Sequence, residues 1–111
     1  MQAQAQKLFG SRRRTETLIL LALLGESHAS ELAALLGARL FAVQTILAAL
    51  EKEGIVASRL VGRARRTELD PRHFAHRELK ALLLRLAQAE PELQATAAAR
   101  RSRPRRPGKV Q

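Results

Sequence analysis

Two groups of side chains in this sequence have types and spacings that could do chemistry. The first is "LVGRARRTELD", residues 60–70, where Arg63, Arg65 and Arg66 follow Gly62 and Arg59 stands just before. Guanidiniums at that density grip phosphates or carboxylates through paired N–H donors. The second is His73 and His76, three residues apart with Asp70 ahead of them. On a helix the two histidines share a face, as metal ligands do. Two His and one Asp fall short of a zinc set, and a second chain would have to complete it. The expectation is therefore no metal and no cofactor. His28, alone in a short link, reads as structural. No cysteine, no Ser-His-Asp arrangement in a plausible pocket and no P-loop is present, and so small a helical core leaves little room for a substrate cleft. The reading is not an enzyme, and the basic segment is what needs explaining.

Its surroundings begin with charge. The chain has 111 residues, room for a single small core, and 20 Lys+Arg against 10 Asp+Glu give a net charge of +10. A field of that sign draws polyanions such as nucleic acid. It is unevenly spread: residues 95–111 carry six bases and no acid, leaving +4 on residues 1–94 from fourteen bases and ten acids. Residues 95–111 also contain Pro104, Pro107 and Gly108, with Val110 the only large aliphatic side chain, so disorder is expected there. Within it, "RSRPRRPGK" is similar to a basic arm lying in a minor groove, although it lacks the Gly-Arg-Pro core of an AT-hook. The longest apolar run, residues 18–25, falls well short of the ~20 residues that span a bilayer. Together with the absence of a signal-like N-terminus and of cysteine, this points to a cytoplasmic, nucleoid-associated protein.

The apolar pattern supplies the elements. "RTETLILLALLG" is apolar almost all round, as a short buried helix is, and Gly25 ends it. "ASELAALLG" gives a second helix with Ser30 as N-cap, Leu32, Leu35 and Leu36 on one stripe, and Gly37 as the stop. "ARLFAVQTILAALEKEG" gives a third, with Leu40, Val43, Leu47 and Leu50 on its buried face and Ile46 beside them. Three or four residues between helices two and three make a helix-turn-helix. "IVASRLV" and "RRTEL" then form a hairpin that pairs Val56 with Leu69, Ser58 with Thr67 and Leu60 with Arg65, its basic tip in solvent. Asp70-Pro71 caps a fourth helix that runs to Pro91. Its Phe74, Leu79, Leu82, Leu83 and Leu86 exceed what one small domain covers, so they pack on helix one or on a copy of themselves.

This order is that of a winged helix-turn-helix. "LFGSRRR", "ELAALLG", "VQTILAALEKEGIV" and "GRARR…LDP", in sequence from about residue 8 to 86, resemble the ArsR-like winged-helix transcriptional regulators of bacteria and archaea, above all their small cysteine-free members. The resemblance implies a homodimer on operator DNA, with the third helix in the major groove and the wing on the backbone or adjacent minor groove. Gln44 matches the base-facing position, where Gln can pair with adenine. Thr45 stands where many relatives carry Arg, and Arg39 and Phe41 where they often carry Ser or Thr, so the usual N-cap is missing. Gly62, Arg63 and Arg65 match the basic tip of the wing, while Arg66 and Thr67 replace tyrosines.

The expected fold is mainly α with a small β-hairpin wing: an N-terminal extension (1–10), a winged helix-turn-helix DNA-binding domain (11–71), a C-terminal dimerisation helix (72–94) and a disordered basic tail (95–111). The expected function is a sequence-tolerant, DNA-binding transcriptional regulator acting as a homodimer through helix 72–90 and helix one, with no membrane partner and no evident small-molecule effector. Expected DNA contacts are Ser11, Arg12, Arg13, Arg39, Gln44, Thr45, Lys52, Arg59, Arg63, Arg65 and Arg66. The third helix bears no charge from Leu40 until Glu51 and Lys52, so only Arg39 could read guanine there; affinity must lean on phosphates, giving weak base discrimination and steep salt dependence. Two alternatives share the fold: a protein-interaction module docking through the Ala-rich third helix and Phe41, and an architectural protein that coats DNA.

Overall fold

The computed structural model describes residues 8–102. Helix α1 (Arg12–Leu24) leads into a two-residue strand β1 (Glu26–Ser27), then α2 (Ala29–Leu36) and α3 (Leu40–Lys52). The hairpin β2 (Val56–Val61) and β3 (Ala64–Leu69) follows, then α4 (His76–Ala87) and α5 (Pro91–Ser102). Helix, helix, turn, helix and hairpin make a winged helix, with a sheet of order β1-β3-β2.

Helix α1 is the hub. Ser11 caps it, its hydroxyl accepting from the Arg14 N–H at 3.1 Å. Every residue from Thr15 to Ala22 is buried, because β1, α2, the sheet, α4 and α5 surround the helix. That is why its sequence shows no polar stripe. Arg12 and Arg13 belong to its first turn rather than preceding it. Phe9 packs on the core and its N–H donates to the Thr15 hydroxyl at 3.3 Å, so the domain starts before residue 11.

The expected N-cap of α2 is corrected. Ser30 is exposed inside the helix, and His28 is the cap, its Nδ1 accepting from the Glu31 N–H at 3.3 Å. An imidazole nitrogen fills the role usually taken by a Ser or Asp oxygen. His28→Ala is expected to cost about 1 kcal/mol of stability, read from the midpoint of urea unfolding; an unchanged midpoint would remove His28 from this role. Gly37, at φ +64, ends α2 in the left-handed region, which glycine adopts without strain. In α3, Val43, Leu47 and Leu50 are buried as expected, but Leu40 is 43% exposed at the first turn, beyond the reach of α1 and α2.

The hairpin has the register read from its alternation: Val56 opposite Leu69, Ser58 opposite Thr67 and Leu60 opposite Arg65. β1 adds a third strand that two residues could not announce by periodicity, pairing Glu26 with Glu68 and Ser27 with Thr67.

The largest departure lies after the wing. Asp70 does not cap a helix at Pro71; its carboxylate accepts from the Arg72 backbone N–H (2.9 Å) and guanidinium (3.2 Å), closing a turn, and α4 begins at His76. The expected single helix over 72–94 is two, because α4 ends at Ala87 and Pro91 opens α5. The expected disorder of 95–111 is wrong for residues 95–102. Leu93 and Ala97, one turn apart, are buried in the core beside α1, and Arg100 forks onto Glu31 at 2.8 and 3.0 Å. Alanine is the best helix former and its small side chain lets α5 approach closely, which a search for large aliphatics overlooks. The rest of that segment, with most of "RSRPRRPGK", lies outside the described residues.

Candidate nucleic-acid interface

The outer face of α3 and the wing share an open groove of roughly 400 Å³, lined among others by Gln44, Ala48, Glu51, Ser58, Arg65 and Thr67. Its position follows from local chemistry. Burial of Val43, Leu47 and Leu50 turns Gln44, Thr45 and Ala48 outward, and the hairpin register turns Ser58 and Thr67 toward α3. Their hydroxyls lie 3.2 Å apart, and Ser58 donates to Glu51 Oε1 at 3.3 Å, tying the wing's base to the end of α3.

The expected DNA-contacting cations divide into two classes. Arg12 and Arg13 both bond Glu16, at 3.2 and 3.1 Å, and Arg13 also donates to the Leu36 carbonyl at 3.0 Å. Arg12 and the Ser11 cap thus serve α1 itself, and Arg13 ties α1 to the end of α2. In the wing, Glu26 on β1 pairs with Arg59 at 3.1 Å and Arg66 at 3.5 Å. Such half-exposed pairs are worth only about 0–1 kcal/mol and can exchange for a phosphate. The second class is Arg39, Lys52, Arg63 and Arg65, all exposed and, among the described residues, making no side-chain ion pair or hydrogen bond. They stand at the start of α3, at its end and around the wing tip.

No family model matches the chain. Nor does any curated protein or solved structure match it. The face must therefore be read from its own chemistry.

Arg39 makes no side-chain cap bond, as the sequence suggested, so its guanidinium is uncommitted. The Thr45 hydroxyl bonds back to the Phe41 carbonyl at 3.0 Å. Gln44 is thus the one side chain on the middle of the face with free amide donors and acceptors. Three apolar groups stand exposed beside the face: Phe41, read from the sequence at the start of the third helix and as a protein-docking residue, and Leu60 and Val61 near the wing tip. Their only signal was apolar type at positions off the buried stripe.

The histidines do not converge on a site. His73 Nδ1 accepts from the Ala75 N–H at 3.0 Å and its ring stacks on Phe74, while Asp70 is engaged by Arg72. His76 Nδ1 is buried and has no hydrogen-bond partner among the described residues. Among the described residues no three His, Cys, Asp or Glu are grouped to hold a metal ion, and no helix is long and apolar enough to cross a membrane.

The best-defined charge pair lies away from this face. Glu31 on α2 receives Arg100 and the Ser27 hydroxyl, and the Arg100 hydrogen bonds hold its carboxyl at about 2 instead of 4.5. Glu90, buried near Glu16, is pushed the other way, chiefly by loss of solvent and then by the neighbouring charge.

Proposed function

We propose that the protein is a double-stranded-DNA-binding transcriptional regulator, with α3 in the major groove and the wing along the phosphate backbone, as the ArsR-like resemblance implies. The observation that carries this reading is the placement of the uncommitted cations Arg39, Lys52, Arg63 and Arg65 around an exposed helix face that opens onto the wing. A surface that keeps cations unpaired within reach of a convex helix suits a polyanion whose groove admits that helix. A protein-docking role fits less well, because charges are depleted at the centres of protein interfaces and these cations would lose water without gaining partners.

The test is titration of a labelled 24-base-pair duplex at several salt concentrations, followed by anisotropy. Each phosphate neutralised contributes about −0.9 to the slope of log K against log salt, so a slope near −4 or steeper is expected. Absence of binding at low salt would refute the proposal. A chain ending after Ser102 separates the folded interface from the basic segment beyond it; it keeps Leu93, Ala97 and Arg100, which an earlier truncation would remove from the core. If duplex affinity resides entirely in that segment, the architectural reading replaces this one.

A homodimer is part of the proposal. The apolar stripe of α4 divides: Leu83 is buried, Leu79 and Leu86 are partly covered, and Leu82 and Leu84 stay exposed on either side, with Phe74 94% exposed just before the helix. A second copy would cover these groups symmetrically. Sedimentation of the intact chain is expected to give a dimer, and Leu82→Glu/Leu84→Glu a folded monomer. A monomeric intact chain would remove the dimer from the proposal.

A further inference from the structure

The first turns of α3 combine features that belong together on one kind of ligand. Phe41 is 78% exposed and Leu40 43% exposed, and Ala42 and Ala48 are exposed too. The Thr45 hydroxyl donates to the helix backbone and keeps only acceptor capacity. Of the exposed side chains from Leu40 to Ala48, only Gln44 is free to donate a hydrogen bond, and none is charged. Yet Arg39 stands immediately before this strip, Lys52 at the other end of the helix, and Arg65 across the groove with Arg63 beyond it.

An apolar strip on a convex helix, bordered by unpaired cations, has a natural occupant. A protein partner would bring an apolar surface of its own and strand the cations. A duplex brings phosphates to the cations and, in its major groove, offers one apolar group, the C5 methyl of thymine. The N-terminal residues of a helix seated in that groove are the ones that meet base edges, and here those residues are Leu40, Phe41 and Gln44. Gln44 supplies the amide that pairs with adenine, and adenine always accompanies a thymine. The one carboxylate on the groove, Glu51, lies near the helix end, away from the strip and beside Ser58.

We propose that α3 discriminates bases mainly through thymine methyl groups packed on Phe41 and its apolar neighbours, so that the protein prefers A·T-containing major grooves without reading a defined order of bases. This rests on the proposed DNA binding and names the feature of DNA that is selected. Because α3 reads chiefly methyls and one amide, the preference is broad, with Arg39 at the start of the helix gripping a phosphate rather than a guanine.

The experiment compares four 24-base-pair duplexes at one salt concentration: a mixed A·T sequence, the same with every thymine replaced by uracil, a G·C sequence, and the same with every cytosine replaced by 5-methylcytosine. Uracil differs from thymine only by the methyl, and 5-methylcytosine places a methyl at the corresponding edge of a G·C pair. Burial of one methyl is worth about 4-fold in affinity, so two contacts predict a loss of about 15-fold on uracil substitution and a partial gain on cytosine methylation. Phe41→Ala is expected to shrink the thymine-to-uracil ratio severalfold while leaving the salt slope unchanged; the side chain is exposed, so its removal does not threaten the core. Equal affinity for thymine and uracil duplexes, with the steep salt slope retained, overturns this inference and leaves DNA binding standing. Failure to bind any of the four duplexes overturns DNA binding itself and this inference with it.

Discussion

Replacing Arg63 and Arg65 together by alanine is expected to weaken duplex binding by about 150-fold for each bound protomer near 100 mM salt, on the basis of ~1.5 kcal/mol for each charged hydrogen bond lost. The slope of log K against log salt should flatten by about 1.8 for each bound protomer, because each loses two phosphate contacts. Both side chains are exposed and pair with nothing among the described residues, so stability should be unaffected. The contrast is Arg59→Ala/Arg66→Ala, which removes the two arginines that share Glu26. These must leave a carboxylate before they reach a phosphate, and their loss should weaken binding by less than the tip pair does. If the two double variants behave alike, the division of the wing into committed and uncommitted cations is wrong. If the tip variant binds as the parent does, the wing is not the anchor.

The second large effect is on stability. Arg100 approaches Glu31 from α5 across 69 residues of sequence and also donates to the Glu26 carbonyl at 3.2 Å. Both side chains are about three-quarters covered, at 24% and 23% exposure. Because the folded carboxyl sits near 2 and the unfolded one near 4.5, this contribution is complete above pH 4.5 and is lost as the pH falls toward 2. A shift of that size corresponds to about 2–3 kcal/mol at neutral pH. Arg100→Ala should therefore lower the unfolding temperature at pH 7 by about 10–15 °C, and the gap to the parent should shrink to about a quarter by pH 2.5. Glu90 acts in the opposite sense, since its raised folded value means that acid relieves a penalty; comparing the two proteins at each pH cancels it. A parent and variant with equal stability at pH 7 would show that α5 is held by Leu93 and Ala97 alone.

The sequence carried the helix-turn-helix and the wing because both rest on strong local rules. Alternation of Val56, Ser58 and Leu60 against Thr67 and Leu69 fixed the register, and Val43, Leu47 and Leu50 fixed the inner face of α3. What it concealed was tertiary. No periodicity marks a two-residue strand, so the pairing of Glu26 with the wing arginines could not be read. Ala97 looks like filler until α1 lies beside it, and the Arg100–Glu31 pair joins segments that composition alone assigns to a tail and a domain. For the proposed interface, residue types pointed to Arg63, Arg65, Arg39 and Lys52 and equally to Arg12 and Arg13, whose pairing with Glu16 they did not announce.

The central position of α1 also bears on how the chain reaches this fold. The helix comes first in the described chain, yet it packs against α4 and α5, which come last. Helices α2 and α3 and the hairpin can form from neighbours in sequence, whereas α1, although it also touches β1 and α2, is covered fully only when α5 arrives, its Arg101 donating to the Leu23 carbonyl 78 positions away. Ordering by local contacts first and distant ones later makes the helix-turn-helix and wing the early structure and the clasp of α1 by α5 the slow step. Until that step, the stretch Leu18–Ala22, with no polar side to turn outward, is the segment most open to aggregation. Leu93 and Ala97, which bring α5 onto α1, thus govern how long this deeply buried helix stays uncovered.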